Sequence, residues 1–254
     1  MAAPLRAPVV ASPVVAGARV WGDRGLAAVD QGDAAAAWLK AALGVEEDVR
    51  LVRMPDGAVR ACDRAYAPRG SQTAYSDGFP LLLIGEPSLA ELNARAAARR
   101  APRAPAPLPM NRFRPNLVVA GDELAPFAED GWGALALGGG RVALRVVKPC
   151  ARCKIPTIDQ ETATPDAGSA APTTDGDDEG GGPAAAAEPT ATLKTFRTGA
   201  ALALADKSWA IFRKQPDDVF FGENVTFTPS SAGGRIACGD VITAMPRARL
   251  LGLF

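Results

Sequence analysis

The stretch RVALRVVKPCARCKIPTID, residues 141–159, decides the fold. Its first part, RVALRVV (141–147), is an apolar, β-branched run that predicts a strand. Cys150 and Cys153 follow directly, so both thiols are expected at the end of that strand, where a ligand can reach them. Three basic side chains flank the two cysteines: Lys148, Arg152 and Lys154. Positive charge lowers the pKa of a thiol, and the resulting thiolate is the form that soft metals bind.

Four interpretations of the cysteine pair remain open from the residues alone. Half of a zinc site needs two further ligands, and only Cys62 and Cys238 remain in the chain. A thioredoxin-type redox pair opens a helix, whereas Pro149 and Pro156 bracket a loop here. A single thiolate ligand to a metal held by a cofactor needs only one cysteine. The fourth interpretation is two reduced loop cysteines without a ligand.

Composition excludes several function classes. The 254 residues are 48% hydrophobic and 22% charged, which suits a soluble protein of one large or two small domains. The chain has no histidine, which excludes Ser-His-Asp and Cys-His catalysis and histidine-ligated zinc or haem. Basic and acidic residues balance at 28 each, so no overall charge favours nucleic acid.

The compartment follows from the cysteine count and the hydropathy pattern. Four cysteines are too few for a disulfide scaffold of this size, so a reduced, intracellular chain is expected. No apolar run reaches the roughly 20 residues that span a bilayer, so no transmembrane segment is expected.

Residues 163–190 differ in composition from the rest of the chain. They contain no Lys, no Arg and no apolar residue larger than alanine, and this composition predicts a disordered loop. The segment holds six acidic residues: Asp166, Asp175, Asp177, Asp178, Glu179 and Glu188. Outside it, 28 basic residues face 22 acidic ones, so the predicted folded part is basic.

Six arginines and no acidic residue lie between Arg95 and Arg114. The arginines from Arg95 to Arg103 fit either a solvated helix end with its linker or part of an anion site. Arg112 and Arg114 are better placed for an anion site, because they immediately precede a predicted strand.

The periodicity predicts two helices and several short strands. Asp33 caps a helix that Gly44 ends, and Ser88 with Glu91 forms a capping box for a helix to about Arg100. The predicted strands are 49–54, 79–85, 116–121, 141–147, 219–227 and 242–245. This pattern is typical of a small barrel or an α+β domain.

Taken in order, RFRPN (112–116), EDGW (129–132) and CARCKIPTID (150–159) resemble the MOSC domain. Within that superfamily the chain is most similar to the mitochondrial amidoxime-reducing component. Further matching stretches are residues 74–95, 192–197, 221–225 and 238–242. The resemblance implies an α+β fold, a MOSC-type β-barrel with flanking helices.

The resemblance also implies a domain organisation. Residues 1–16 are unassigned or disordered, 17–73 correspond to a remnant of the N-terminal barrel region, and 74–254 form the MOSC domain, interrupted by 163–190. The family's Pro-Val-Lys-Ser-type motif and its N-terminal arginine find no match, and the chain joins the family pattern near residues 18–43. The N-terminal barrel segment is therefore expected to be incomplete, through a truncated gene model or a shortened paralogue. This predicts weakened cofactor binding, which tight stoichiometric molybdopterin retention would contradict.

The family binds the molybdenum cofactor, Mo-molybdopterin, through one protein cysteine. The resemblance carries this ligand to Cys153 and implies no ligand role for Cys150. Arg114 and Asn116 match positions that hold the cofactor at its phosphate and pterin edges. Asp159 follows the ligand loop and either orders it or caps a turn.

A second cofactor-facing loop corresponds approximately to Ser76, Asp77 and Gly78. The match is partial, because Gly78 and Phe79 stand where small polar residues are expected.

The activity implied by the resemblance is reduction of N-hydroxylated substrates such as amidoximes and hydroxylamines. Electrons would come from a cytochrome b5-type partner and its flavin reductase, at the cytosol-facing mitochondrial outer membrane or in the cytosol. Two alternatives stay open: a MOSC-type sulfur carrier or cofactor sulfurase domain, and a truncated, non-catalytic cofactor-binding remnant. The resemblance also carries a generic association with pyridoxal phosphate binding.

Overall fold

The structure is a computed structural model of the chain. It describes residues 6, 9–10, 13–100, 106–166, 187–228, 231 and 233–247. The contacts within the chain divide it into two compact units. The first comprises Met1–Arg64 and Pro68–Pro80, and the second comprises Ala65–Ala67 and Leu81–Phe254.

The first unit consists of two small antiparallel sheets and one helix. Its elements are β1 (Val14–Val20), β2 (Asp23–Asp30), α1 (Asp33–Leu43), β3 (Val52–Arg53), β4 (Arg60–Ala61) and β5 (Gln72–Thr73). The order in the larger sheet is β1-β2-β3, and β4 pairs with β5. The β1–β2 hairpin was not predicted, because its small Ala and Gly residues give no clear alternation. The predicted strand 49–54 is reduced to β3, which pairs with the end of β2.

Helix α1 confirms one predicted boundary and corrects the other. Gly44 ends the helix in the left-handed conformation at φ 67°, as predicted. At the start, however, Gly32 is the N-cap, and Asp33 lies inside the first turn. The Asp33 carboxylate pairs with Arg50 at 2.7 Å instead of capping the helix.

The second unit is built on one six-stranded sheet. Its elements are β6 (Leu81–Gly85), α2 (Glu86–Arg100), β7 (Leu117–Val119), β8 (Trp132–Leu137), β9 (Val142–Ala151), α3 (Thr190–Leu193), α4 (Gly199–Ala205), α5 (Ala210–Lys214), β10 (Phe220–Phe227) and β11 (Ile242–Pro246). The strand order is β11-β8-β9-β10-β6-β7. The strands β6 and β7 pair in parallel, and the other neighbours in this order pair antiparallel. This curled half-barrel sheet with flanking helices confirms the predicted α+β class.

Two apolar clusters hold the sheet of the second unit. Leu83, Leu144 and Val225 belong to one cluster, and Phe221 belongs to the other together with Ile84, which directly follows Leu83. Successive side chains of a strand point to opposite faces, so the sheet is covered on both sides. Central strands buried on both faces explain the continuous apolar runs that predicted β6 and β10.

The predicted capping box of α2 is wrong. The helix begins at Glu86, so Ser88 lies inside its first turn. The Ser88 hydroxyl donates to Glu129 Oε2 at 2.8 Å and accepts from the Phe127 backbone N–H at 2.8 Å. Glu91 instead accepts from Arg95 on the helix surface at 2.7 Å. Ser88 therefore fixes α2 to the turn that precedes β8.

The predicted disorder of residues 163–190 is wrong for the two ends of that segment. Asp166 forms an ion pair with Arg112 at 3.0 Å. Glu188 is 2% exposed and pairs with Arg99 at 2.5 Å. Each end carries an acidic residue that an arginine of the folded unit neutralises, which composition alone does not reveal. Residues 167–186, the rest of that prediction, lie outside the described residues.

None of the described helices combines the length and the hydropathy that a membrane span requires.

Candidate functional site

The cysteine pair lies at the end of β9, as the sequence predicted. Cys150 belongs to the strand, and Cys153 follows it, before a 3-10 turn at Ile155–Thr157. The strand end is fixed beside the start of β10, because the Arg152 backbone N–H donates at 2.8 Å to the carbonyl of Val219, the residue before that strand. The pair does not open an α-helix, so the geometry contradicts the thioredoxin-type interpretation.

The two thiols differ in their surroundings. Arg152 Nη1 donates to Cys150 Sγ at 3.1 Å, so this guanidinium interacts with Cys150. Cys153 is exposed and has no hydrogen-bond partner among the described residues. Cys153 is therefore the thiol available to an external ligand.

Arg114 has an exposed guanidinium and an unusual backbone conformation. It ends the 3-10 turn Met110–Phe113 in the left-handed conformation, at φ 54° and ψ 45°. Its N–H donates to the Asn111 carbonyl at 3.1 Å. No acidic side chain of the described residues pairs with its guanidinium. An exposed guanidinium of this kind suits an anion, and the anion-binding role of Arg114 stays a prediction.

Arg112 is a different case, and its predicted role in an anion site is wrong. It is buried and pairs with Asp166 at 3.0 Å and Asp159 at 3.3 Å. A further N–H donates to the Pro156 carbonyl at 3.3 Å. Two carboxylates neutralise this guanidinium inside the protein, so it cannot serve an external anion.

Asp159 performs both of the roles predicted for it. One carboxylate oxygen caps the following turn, accepting from the backbone N–H groups of Glu161 and Thr162 at 3.0 and 2.9 Å. The other oxygen faces Arg112. The hydrogen bonds from Thr162 and Glu161, together with the Arg112 charge, lower the pKa of Asp159 below its usual range. Asp159 thus orders the loop after Cys153 as an anion.

Asn116 joins the start of β7 to β6. Its side-chain oxygen accepts from the Leu82 N–H at 2.9 Å, and its own N–H donates to the Leu82 carbonyl at 2.9 Å. The side-chain NH₂ group of Asn116 makes no hydrogen bond to the described residues, so both of its N–H donors remain available to a ligand.

Two arginines hold the Arg114 turn against the cysteine loop. Arg152 Nη2 donates to the Phe113 carbonyl at 3.0 Å, one residue before Arg114. Arg112 lies on the same turn and binds the loop that follows Cys153. The second unit therefore brings Cys153 and Arg114 onto two segments that are directly linked.

The loop Ser76–Gly78 belongs to the first unit, and a buried arginine orders it. Arg60 is 5% exposed, and its Nη1 donates to the carbonyls of Ala74, Ser76 and Asp77 at 2.8, 3.2 and 3.0 Å. Ser76 and Asp77 are exposed. Arg60 was not recognised in the sequence, since nothing local distinguishes it from a surface arginine.

Glu223 is a second group that the sequence analysis missed. It lies on β10, is 1% exposed, and neither of its carboxylate oxygens has a hydrogen-bond partner among the described residues. Burial, and then the nearby Asp130 carboxylate, raise the pKa of Glu223 well above its usual range. The signal was an acidic residue in the middle of the apolar run VFFGENVTF.

The zinc interpretation finds no ligand set in the part of the chain that the structure describes, which holds no group of three or more Cys, Asp or Glu side chains suited to a metal. Cys62 is buried in the first unit, and Cys238 is exposed in the second. Of the two exposed thiols in the second unit, Cys153 is the one that lies beside the Arg114 turn, so it is the candidate metal ligand.

Comparison with known proteins agrees with this geometry. The sequence profile described as MOSC domain matches residues 70–243. Among curated proteins, "Mitochondrial amidoxime reducing component 2" of Bos taurus is 32% identical over 140 residues, covering 54% of this chain and 38% of the relative. "Mitochondrial amidoxime-reducing component 1" of Homo sapiens is 34% identical over 138 residues, covering 52% and 36%. The component 1 of Danio rerio is 31% identical over 171 residues, covering 66% and 43%. The chain thus matches between 36% and 43% of the length of these relatives.

Proposed function

We propose, because the chain belongs to the MOSC domain family, that it is a molybdenum-cofactor-dependent oxidoreductase that reduces N-hydroxylated compounds such as amidoximes and hydroxylamines. The observation that carries the proposal is the exposed Cys153 thiol, which has no protein partner among the described residues and is linked to the turn of Arg114. The names of the relatives support the reaction class.

The donor set of the second unit fits a molybdenum cofactor. A soft thiolate suits molybdenum, and an unpaired guanidinium suits a phosphate. Cys153 would supply the protein ligand, Arg114 would bind the phosphate group, and Asn116 would donate to the pterin edge. Ser76, Asp77 and Gly78 are proposed as a further cofactor-binding loop, ordered by Arg60.

The reaction is a two-electron reduction. The N–O bond breaks, and with two electrons and two protons the N-hydroxyl compound yields an N–H product and water. When bound, the molybdenum cofactor supplies the redox chemistry of this step. The protein's part is to hold the Cys153 thiolate, bind the phosphate and keep the loop after Cys153 ordered through Asp159.

Electrons are proposed to come from a cytochrome b5-type donor and its flavin reductase, as expected for this family. The relatives are named as mitochondrial, so the mitochondrial outer membrane facing the cytosol, or the cytosol itself, is the proposed compartment. The generic association with pyridoxal phosphate stays a prediction.

A sulfur carrier or cofactor sulfurase domain is the second candidate, because the same exposed thiol could accept a sulfur atom. Two assays separate the candidates. Benzamidoxime reduction with a chemical electron donor should depend on Cys153 if the chain is a reductase. Persulfide formation on Cys153 from a cysteine desulfurase, without amidoxime reduction, would support the carrier. Neither activity would favour a non-catalytic cofactor-binding protein.

A further inference from the structure

The loop from Lys154 to Asp166 follows the exposed Cys153 and contains little regular structure. Its longest-range internal bonds join Asp159 N–H to the Thr164 carbonyl at 2.9 Å and Asp166 N–H to the Thr157 carbonyl at 2.8 Å. These two bonds form one isolated antiparallel bridge between Ile158 and Pro165, and a bridge that belongs to no sheet opens easily unless side chains restrain it.

Arg112 supplies that restraint from outside the loop. Its side chain is 7% exposed and contacts the loop at Pro156, Asp159 and Asp166. The three contact points span almost the whole loop, and the pair with Asp166 is bidentate, at 3.0 and 3.2 Å. A planar guanidinium with several fixed donors can bridge such acceptors, whereas an ammonium cannot.

The turn that carries Arg112 is itself anchored in the core. The neighbouring residue Phe113 is 1% exposed, and the centroid of its ring lies 4.5 Å from the ring centroid of Phe221 on β10. Arg112 therefore connects the loop to the rigid sheet. The same 3-10 turn ends at Arg114, whose guanidinium points outward.

We propose that Arg112 is a positioning residue: it fixes the loop Lys154–Asp166 on the core and so sets the position of the Cys153 thiol relative to Arg114. This inference rests on the proposed function of Cys153 as a metal ligand. Arg112 contacts no ligand itself, and it acts through Asp159, Asp166 and the Pro156 carbonyl.

The matched control is Arg99. It also pairs with an acidic residue at one end of the segment 163–190, namely Glu188, and it donates to Thr192 at 3.1 Å. It belongs to α2 and has no contact with the loop after Cys153 among its described interactions. Arg99→Gln therefore breaks a comparable ion pair without releasing that loop.

The first arm of the test needs no cofactor. Amide hydrogen exchange is measured on the metal-free full chain as wild type, Arg112→Gln, Arg112→Lys and Arg99→Gln. We expect peptides covering residues 153–166 to exchange about 10-fold faster in Arg112→Gln, because the loop opens more often. Arg112→Lys should recover little of the protection, and Arg99→Gln should leave these peptides unchanged.

The second arm measures molybdenum per chain in the same variants after expression in cells that make the cofactor. Removing a group that orients a metal ligand typically lowers affinity 10- to 100-fold, so Arg112→Gln should hold about 10-fold less molybdenum than the wild type. Arg99→Gln should match the wild type.

The outcomes separate the two proposals. Unchanged exchange at residues 153–166 in Arg112→Gln overturns the positioning role, whatever the metal content. Faster exchange with full molybdenum retention also overturns it. A wild-type chain that holds no more molybdenum than Cys153→Ala overturns the proposed function, and the exchange arm then decides alone whether Arg112 fixes this loop.

Discussion

Arg112 and Arg114 are two residues apart, and their guanidinium groups have opposite surroundings. The 3-10 turn directs the first toward two carboxylates in the protein and the second toward solvent. The sequence predicted an anion site for both, because the acceptors of Arg112 lie 47 and 54 residues away along the chain. No local pattern could have shown them. The pairing partner, and not the residue type, decides which arginine can bind a ligand.

The exposed guanidinium and strained backbone of Arg114 allow binding to be separated from folding. A left-handed conformation costs a non-glycine residue about 1–2 kcal/mol, so Arg114→Gly relieves strain while deleting the guanidinium. We expect a melting temperature equal to or above that of the wild type, together with a clear loss of molybdenum and pterin. Arg114→Lys, which keeps the charge, should retain more cofactor than the glycine variant. Full retention in Arg114→Gly would contradict the assigned role.

Glu223 makes stability depend on pH. Its pKa is raised in the folded protein by burial, so the folded state holds this proton at pH values where the unfolded chain has lost it. The resulting stabilisation is fully present below the unfolded pKa of about 4.5 and is lost as pH rises through the folded value. Between the unfolded and the folded pKa, each rise of one pH unit should lower the free energy of unfolding of the wild type by about 1.4 kcal/mol through this group.

Glu223→Gln tests this dependence, because the amide cannot titrate. Denaturant unfolding from pH 5 to 8 should show the variant gaining stability relative to the wild type as pH rises. Asp56→Asn is a suitable control, since Asp56 is an exposed partner of Arg53 with a lowered pKa and is ionised in both the folded and the unfolded state throughout this range, so its effect should not change with pH. A constant difference between wild type and Glu223→Gln across this range would contradict the account.

At the scale of elements, substitution of Ser88 distinguishes the predicted capping box of α2 from the observed contact with Glu129. The hydroxyl of Ser88 is buried and binds Glu129 and the Phe127 N–H. Ser88→Ala leaves a buried carboxylate without one donor, at a cost of about 2–3 kcal/mol. Glu91→Gln affects only a surface pair with Arg95 and should cost less than about 0.5 kcal/mol. Chemical denaturation measures the free energy of unfolding of both variants. Equal losses in the two variants would support the predicted capping box instead.

Strands rich in β-branched or bulky apolar residues and the two longer helices were predictable, whereas strands of small residues and the short helices were not. The runs behind β6, β9, β10 and β11 contain enough β-branched or bulky apolar residues to indicate strands. By contrast, β8 has the sequence WGALAL, in which alanine and glycine carry little strand preference. The three helices between Thr190 and Lys214 have 4, 7 and 5 residues and form only through tertiary packing.

At the scale of the whole molecule, the sequence alone was enough to predict the family. It predicted only part of how the site is assembled. Motif order identified the MOSC domain, and the profile match over residues 70–243 confirms it. The exposed thiol of Cys153 agrees with its predicted position at a strand end. Contacts between distant segments, such as Arg152 with Phe113 and Arg60 with the loop at Ser76, required the structure. They arise from packing and leave no trace in local composition.

The central claim is that Cys153 binds the metal of a molybdenum cofactor. The most direct measurement is molybdenum and pterin content of the purified full chain beside its Cys153→Ala variant, with Cys150→Ala as the matched control. We predict molybdenum and pterin in the wild type, retention in Cys150→Ala, and loss of molybdenum in Cys153→Ala. Equal molybdenum in the wild type and Cys153→Ala, or none in either, would contradict the claim.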